Sequence, residues 1–324
     1  MWVEIICGLA VIMILWRLFY GHDAVPDVAS SDSDASFAVA ARLERLYGGK
    51  AFVGLRIPDP DTGFRQHIDV VLVTKMEVMV VAVRNFSGFV EAEKDGSWVC
   101  IGDKKHKAET YPDPVLEVGR QVAILQSYLE QRGVHLPKGH IIGKVVLPNP
   151  NCRPAYSIAF EPEVISFDKW KELKPESKGG VTSWIKDAFH RSKSEMQDGS
   201  YQQLNFILRT SPMWDRLELR GDRNILGEFV EFKGNQDDMQ ALSNLKRSKV
   251  SQFIIQKPTM LGFGRSRLQL LYSPRDYRSE GAPPASEWKE VAVKPNTEFL
   301  FQPLNSKKPR KFKLSSAVSL TLSA

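Results

Sequence analysis

Two valine-rich runs in the first half of this 324-residue chain limit what it can fold into. Residues 66–74 read QHIDVVLVT and residues 78–84 read VMVVAVR. Neither alternates apolar with polar residues as a half-exposed strand would. Near-continuous β-branched runs of this length form strands buried on both faces, because an open face would leave Val and Ile in water. Covering layers must come from helices, and the flanking sequence supplies them. Phe37, Val39, Ala40, Leu43, Leu46 and Tyr47 make an apolar helical face that stops at Gly48-Gly49, with Ser36 after Asp34 as the expected N-cap. KAFVGLRI (50–57) reads as a strand and DPDTG (59–63) as a turn. SWVCI (97–101) is expected to extend the sheet. A long amphipathic helix follows from Pro114 to Arg132, ended by Gly133, and then the strand HIIGKVVL (140–147). The order of helix, three strands, helix and strand implies an α/β layer architecture.

One residue interrupts the apolar pattern. Asp69 is a carboxylate inside a buried strand, which is expensive unless it is paired or bound to a metal ion. Arg84, at the end of the next strand, is the natural partner for a fold-stabilising ion pair. His67 shares the strand face of Asp69, so the two could also ligate a metal, although a packed or exposed histidine is the plainer reading. No P-loop, GxSxG or HExxH sequence occurs.

The stretch Ile68-Asp69, then Val83-Arg84-Asn85 to Gly88, Trp98, and Asp113-Pro114 opening the long helix resembles the NERD (nuclease-related) domain over roughly residues 36 to 135. That domain is a branch of the restriction-endonuclease-like, PD-(D/E)XK nucleases. The chain as a whole resembles the plant members, with an N-terminal anchor and a basic tail. The resemblance implies a mixed sheet with flanking helices and an Mg²⁺-dependent site in which strand carboxylates hold the metal. Carried over by residue, Asp69 matches the first carboxylate, Ala82 stands at the second and Arg84 at the lysine. Ala82 cannot ligate. Arg84 keeps a charge able to contact phosphate but stays protonated and cannot act as a base. The helix glutamate falls on Ser36, with Glu44 on the same helix as a substitute candidate. Glu117 and Gln121, one turn apart, are the downstream-helix candidates. Asp69, Arg84, Glu117 and Gln121 are therefore the motif-equivalent site, and Mg²⁺ is expected only if that site is active.

The chain beyond this domain is organised by charge and hydropathy. Residues 5–16 carry no charge, and apolar character extends over residues 2–20, broken by Glu4 and Arg17. Aromatics near both ends suit a single membrane anchor, with Arg17 favouring a cytoplasmic carboxyl side. A signal peptide and a buried helix are the competing readings. Ser/Asp-rich residues 21–35 read as a flexible linker, 36–173 as the nuclease-like domain and 174–212 as linker and helices. Within the last, Trp184, Ile185, Ala188 and Phe189 beside Lys186, His190, Arg191 and Lys193 make a short basic amphipathic stretch. Cys7, Cys100 and Cys152 are too few and too far apart for a disulfide framework or CxxC metal pair, which fits a reducing, cytosol-facing location.

Residues 213–324 hold short strand-like runs between Gly, Pro and Asn turns, with one helix near 236–246. This pattern suggests a small, mostly antiparallel barrel or sandwich. Charge concentrates here. Residues 246–324 carry 15 Lys and Arg against 5 Asp and Glu, a net +10, leaving 29 against 33, a net −4, ahead of them. Lys307, Lys308, Arg310, Lys311 and Lys313 form the densest cluster and the candidate site for nucleic acid or anionic lipid. A solvated basic face is the plain alternative.

The expected protein is membrane-tethered, with a degenerate nuclease-like α/β domain and a basic β-domain facing the cytoplasm. Three functions fit it: a non-catalytic binding or scaffold protein that contacts nucleic acid, a divergent Mg²⁺-dependent nuclease using Glu44 or Glu117, and a membrane-surface adaptor whose basic tail meets anionic lipid.

Overall fold

The valine-rich runs pair as expected and are covered on both faces. In the computed structural model, which describes residues 31–102, 108–137, 139–173, 196–257, 267–275 and 287–323, the chain opens with α1 (Ser31–Tyr47) and a meander of β1 (Lys50–Pro58), β2 (Arg65–Val73) and β3 (Val78–Val83). Then come β4 (Gly88–Ala92), β5 (Trp98–Ile101), β6 (Ala108–Tyr111), α2 (Pro114–Glu130), β7 (Ile141–Val146), β8 (Cys152–Pro154), α3 (Tyr156–Ala159), β9 (Val164–Ile165), α4 (Phe167–Glu172) and α5 (Asp198–Thr210). The main sheet has the order β1-β2-β3-β7-β9, antiparallel through β3 and parallel from there on. Parallel β3 and β7 are joined across the sheet by the passage containing α2, as parallel neighbours require. Val39, Leu43 and Leu46 of α1 pack on Val70, Leu72 and Val81 on one face. Val118, Leu125 and Leu129 of α2 pack on Val71, Val80 and Ala82 on the other.

Three local expectations are corrected. Helix α1 starts at Ser31, so residues 31–35, expected as linker, are helical. Asp32 and Asp34 fill its first turn, where carboxylates meet the positive end of the helix dipole. Ser36 is thus an interior residue; its hydroxyl donates to the Asp32 carbonyl one turn back at 3.0 Å instead of capping. Strand β5 does not extend the main sheet but joins a second one of order β6-β5-β4-β8. Gly88 makes that sheet possible: its φ is +120°, and a Cβ there would lie 2.1 Å from the Ile101 carbonyl oxygen. The start of α2 follows the sequence, with Asp113 Oδ1 accepting from Val115 N at 2.8 Å and Pro114 opening the helix.

The described residues divide into two units, one ending at Trp214 and the other running from Asp215 to Ser323. The second contains β10 (Asp215–Leu219), β11 (Arg223–Lys233), α6 (Gln236–Leu242), β12 (Val250–Gln256), β13 (Leu268–Pro274), β14 (Lys289–Val293), β15 (Glu298–Pro303), β16 (Arg310–Lys313) and β17 (Ala317–Thr321). They form one antiparallel sheet of order β14-β13-β12-β17-β10-β11-β15-β16, rather than two stacked sheets, and among the described residues no β14–β16 pairing closes it into a barrel. Register shifts at Glu218/Leu219, Phe229/Glu231 and Val250/Gln252 raise the local twist. The sheet curls around a core that includes Phe229, Phe232, Phe253, Phe299, Phe301 and Phe312.

The expected anchor at residues 1–20, the linker up to residue 30 and the basic stretch at 184–193 lie outside the described residues. Among the described residues no helix is long and apolar enough to cross a membrane.

Buried Asp215 staples the second unit. It accepts from Phe229 N at 2.7 Å, from Ser323 N at 2.8 Å and from the Arg247 guanidinium, joining β10, β11, the segment before β12 and the chain end. Burial pushes its carboxyl pKa upward against these donors. Asp215→Ala is expected to destabilise this unit by about 3 to 5 kcal/mol, read as a lower urea midpoint, because it leaves two buried backbone N–H groups unpaired and takes from Arg247 its buried carboxylate, leaving it Glu228 and the Phe229 carbonyl.

Candidate functional site

The site forms where two strands stop pairing. The β2–β3 ladder ends at Val70 opposite Val81, and beyond it the strands part. Val83 N–H, deprived of a ladder carbonyl, donates instead to Asp69 Oδ2 at 2.9 Å. A buried backbone donor needs a partner, and the Asp69 carboxylate serves as one. Strand β1 changes phase at the same level. Phe52 faces the α2 side and Val53 the α1 side, yet Leu55 and Ile57 both return to the α2 side. The slip falls on Gly54, whose φ is +74°.

Arg84 spans the gap between strand and helix. Its Nη1 donates to Asp69 Oδ2 at 2.9 Å and its Nη2 donates to Glu117 Oε2 on α2. With its side chain 20% exposed, the guanidinium is held between two carboxylates. Gln121, one turn after Glu117, is buried; its Nε2 donates to the His67 carbonyl at 3.0 Å and to Glu117 Oε1 at 3.3 Å. Its Oε1 is buried without a hydrogen-bond partner. Flipping the amide would aim an oxygen at two acceptors, so the observed orientation is the better one. The structure therefore brings all four motif-equivalent residues, Asp69, Arg84, Glu117 and Gln121, into one cluster.

His67 completes it. Its Nε2 lies 2.8 Å from Asp69 Oδ1, and Trp214 Nε1 donates to its Nδ1 at 3.0 Å. An indole N–H can only donate, so Nδ1 is the acceptor and the proton sits on Nε2, pointing at Asp69. Trp214 arrives from the end of the unit because Met213 bridges Leu55 and Trp214 N donates to the Gly54 carbonyl at 2.9 Å. The Arg56 guanidinium lies 3.9 Å from the Trp214 ring centroid.

Both Asp69 oxygens are thus engaged. Burial pushes its carboxyl up, but the His67 hydrogen bond, the Arg84 charge and Val83 N–H outweigh burial and hold it below its ordinary 3.8. Asp32, in the first turn of α1, senses the same cluster although its sequence context suggests a linker. Desolvation raises its pKa first and the Asp69 charge next, with Arg84 opposing. Glu44 is corrected: its Oε1 accepts from Ala51 N at 2.7 Å, tying α1 to the start of β1. It lies twelve residues from Asp32, about 18 Å along the helix.

These residues do not fit a divalent metal ion. Ala82, at the second carboxylate position, is fully buried in the α2-side core. The guanidinium occupies the space between Asp69 and Glu117, and no group of three or more His, Cys, Asp or Glu among the described residues is arranged to hold a metal. Arg84 is corrected in turn: both terminal nitrogens serve carboxylates, so the charge that could have met phosphate is already neutralised. Burial pushes the Cys152 thiol up to about 12, with Cys100 adding to it.

In the second unit, Lys307, Lys308, Arg310, Lys311 and Lys313 are all exposed. Arg310, Lys311 and Lys313 lie on β16, the last strand of the sheet, with Phe312 buried between them. Charges on an edge strand discourage unwanted pairing.

A family model for the nuclease-related domain matches residues 31–148. That stretch is a nuclease-related domain, and it holds every residue of the cluster except Trp214. No curated protein and no solved structure matches the chain.

Asp69→Ala is expected to lower stability by about 3 to 5 kcal/mol, since it breaks a buried ion pair, leaves Val83 N–H and the His67 Nε2 proton without their acceptor, and leaves Arg84 with Glu117 as its one carboxylate. Because the folded carboxyl titrates below 3.8, its contribution is full at neutral pH and is lost as pH falls through 3.8 and then through the folded value. Denaturant midpoints of the wild type and Asp69→Asn, measured from pH 7 to pH 3, should draw closer as the pH falls below 3.8.

Proposed function

We propose that this protein is a non-catalytic binding or scaffold protein: a degenerate restriction-endonuclease-like domain joined to a basic β-domain that engages nucleic acid. The observation that carries this reading is the Arg84 bridge. A cation fixed between Asp69 and Glu117 takes up the carboxylates that a metal-dependent nuclease would need for its ion. The centre is structural, and anion binding falls to exposed cations elsewhere, foremost Lys307, Lys308, Arg310, Lys311 and Lys313. Contacts of this kind act through counterion release, carry little sequence information and weaken steeply with salt. The apolar segment at residues 2–20 would hold the protein on a membrane with both units facing the cytoplasm.

With single- and double-stranded DNA and RNA, the wild type should show no Mg²⁺- or Mn²⁺-dependent cleavage but salt-sensitive binding. Replacing Lys307, Lys308, Lys311 and Lys313 by Gln should flatten the log–log salt dependence by roughly 0.7 to 0.9 for each lysine–phosphate interaction removed. Ala82→Glu with Arg84→Lys restores the motif residues, and cleavage by that variant alone would support descent from an active site. Cleavage by the wild type that disappears in Asp69→Ala would overturn the proposal in favour of a divergent nuclease. Binding to anionic vesicles without affinity for nucleic acid would overturn it in favour of a membrane-surface adaptor.

A further inference from the structure

The turn between β1 and β2 is built to present an aromatic ring outward. Buried Asp59 organises it: Oδ1 accepts from Asp61 N at 3.0 Å and Oδ2 from Thr62 Oγ1 at 2.9 Å. Asp59 N donates to the Phe64 carbonyl at 2.8 Å, and Gly63 N donates to the Asp59 carbonyl at 2.9 Å. Gly63, at φ +71°, permits the reversal. Arg120 of α2 locks the turn to the body of the domain through Nη2 to Asp59 Oδ2 at 2.9 Å. On this closed turn the Phe64 ring is 78% exposed. A ring with no core to enter gains nothing for the fold by its exposure, and a pinned loop holds it in place.

The surroundings indicate what the ring meets. Arg65 follows it directly and is exposed, and Arg120 keeps 59% of its side chain exposed while holding Asp59. Arg65 pairs across the hairpin with Pro58, and His67 with Arg56, so Arg65 and Arg56 fall on one face of the hairpin. On α2, Leu116 lies one turn before Arg120 and is 71% exposed. An exposed aromatic next to guanidinium groups is the pairing that binds unpaired nucleotides, the ring stacking on a base and the cations meeting the backbone. A duplex interior hides its base faces and offers only those of its terminal pairs, so the ring favours single strands.

We propose that the β1–β2 hairpin is a single-strand contact site in which Phe64 stacks on an unpaired nucleobase, Leu116 extends the apolar surface, and Arg65 and Arg120 face the flanking phosphates. This rests on the nucleic-acid-binding reading above and assigns to the nuclease-related domain a contact surface outside its Asp69 cluster.

The test measures binding of the full chain to a single-stranded oligonucleotide and to its blunt duplex across a salt series. Phe64→Ala should weaken single-strand binding roughly tenfold and leave duplex binding nearly unchanged, while Phe64→Trp should restore it. Arg65→Gln should reduce the salt slope on the single strand by roughly 0.7. Because both side chains are exposed, thermal midpoints should not move. Wild-type single-strand affinity in Phe64→Ala, with the salt dependence still flattened in the Lys307, Lys308, Lys311 and Lys313 variant, would overturn the hairpin assignment and leave the proposed function standing. No binding of either polymer by the wild type would overturn both.

Discussion

The first unit turns on a single guanidinium. Arg84 connects the end of β3 to Asp69 on β2 and to Glu117 on α2, and each of those carboxylates has further work. Asp69 satisfies Val83 N–H where the ladder fails, and orients the His67 imidazole that Trp214 holds from behind. Glu117 accepts from Gln121, which in turn grips the His67 carbonyl. Strand splitting, helix placement and the return of the chain at residues 212–214 therefore meet at one cation. Removing a partner from such a cluster is costlier than never having had it, because the remaining charges stay desolvated.

The second unit uses the same device. Asp215 accepts a neighbouring strand's N–H and an arginine from farther along the chain, as Asp69 does. There the role is structural, with nothing resembling a nuclease motif around it. The recurrence supports reading the Asp69–Arg84 pair first as a staple. Arg247 bonds a second carboxylate, Glu228, at 3.3 Å, as Arg84 bonds Glu117; the first unit differs in having Asp32 within electrostatic reach as well. It also has a buried Gln121 oxygen with no partner.

Much of this was legible in the sequence. The β-branched runs announced strands covered on both faces, and a lone aspartate in one of them marked the site. Glu117 and Gln121 are placed beside it by the resemblance to the nuclease-related domain, which has a Gln-bearing helix downstream; the cap and proline mark only where α2 starts. What escaped was what depends on distance along the chain or on unpatterned residues. Trp214 lies 147 residues from His67, and no local signal joins them. Asp32 sits in a Ser/Asp-rich run whose composition suggests a linker, yet its carboxylates favour the helix start that forms there. The second sheet went unseen because a four-residue strand such as β5 has no signature showing which sheet it joins. Single-sheet curling in the second unit depends on bulges, which periodicity alone does not reveal.

Arg84 bridges Asp69 and Glu117 in the nuclease-related domain, and the proposed function has it take the place of a divalent ion between carboxylates. Calorimetric titration of Mg²⁺, then Mn²⁺, into the wild-type protein tests that substitution without reference to any substrate. A centre closed by the guanidinium should give no saturable heat up to millimolar metal. One-to-one Mn²⁺ binding that disappears in Asp69→Ala would contradict it.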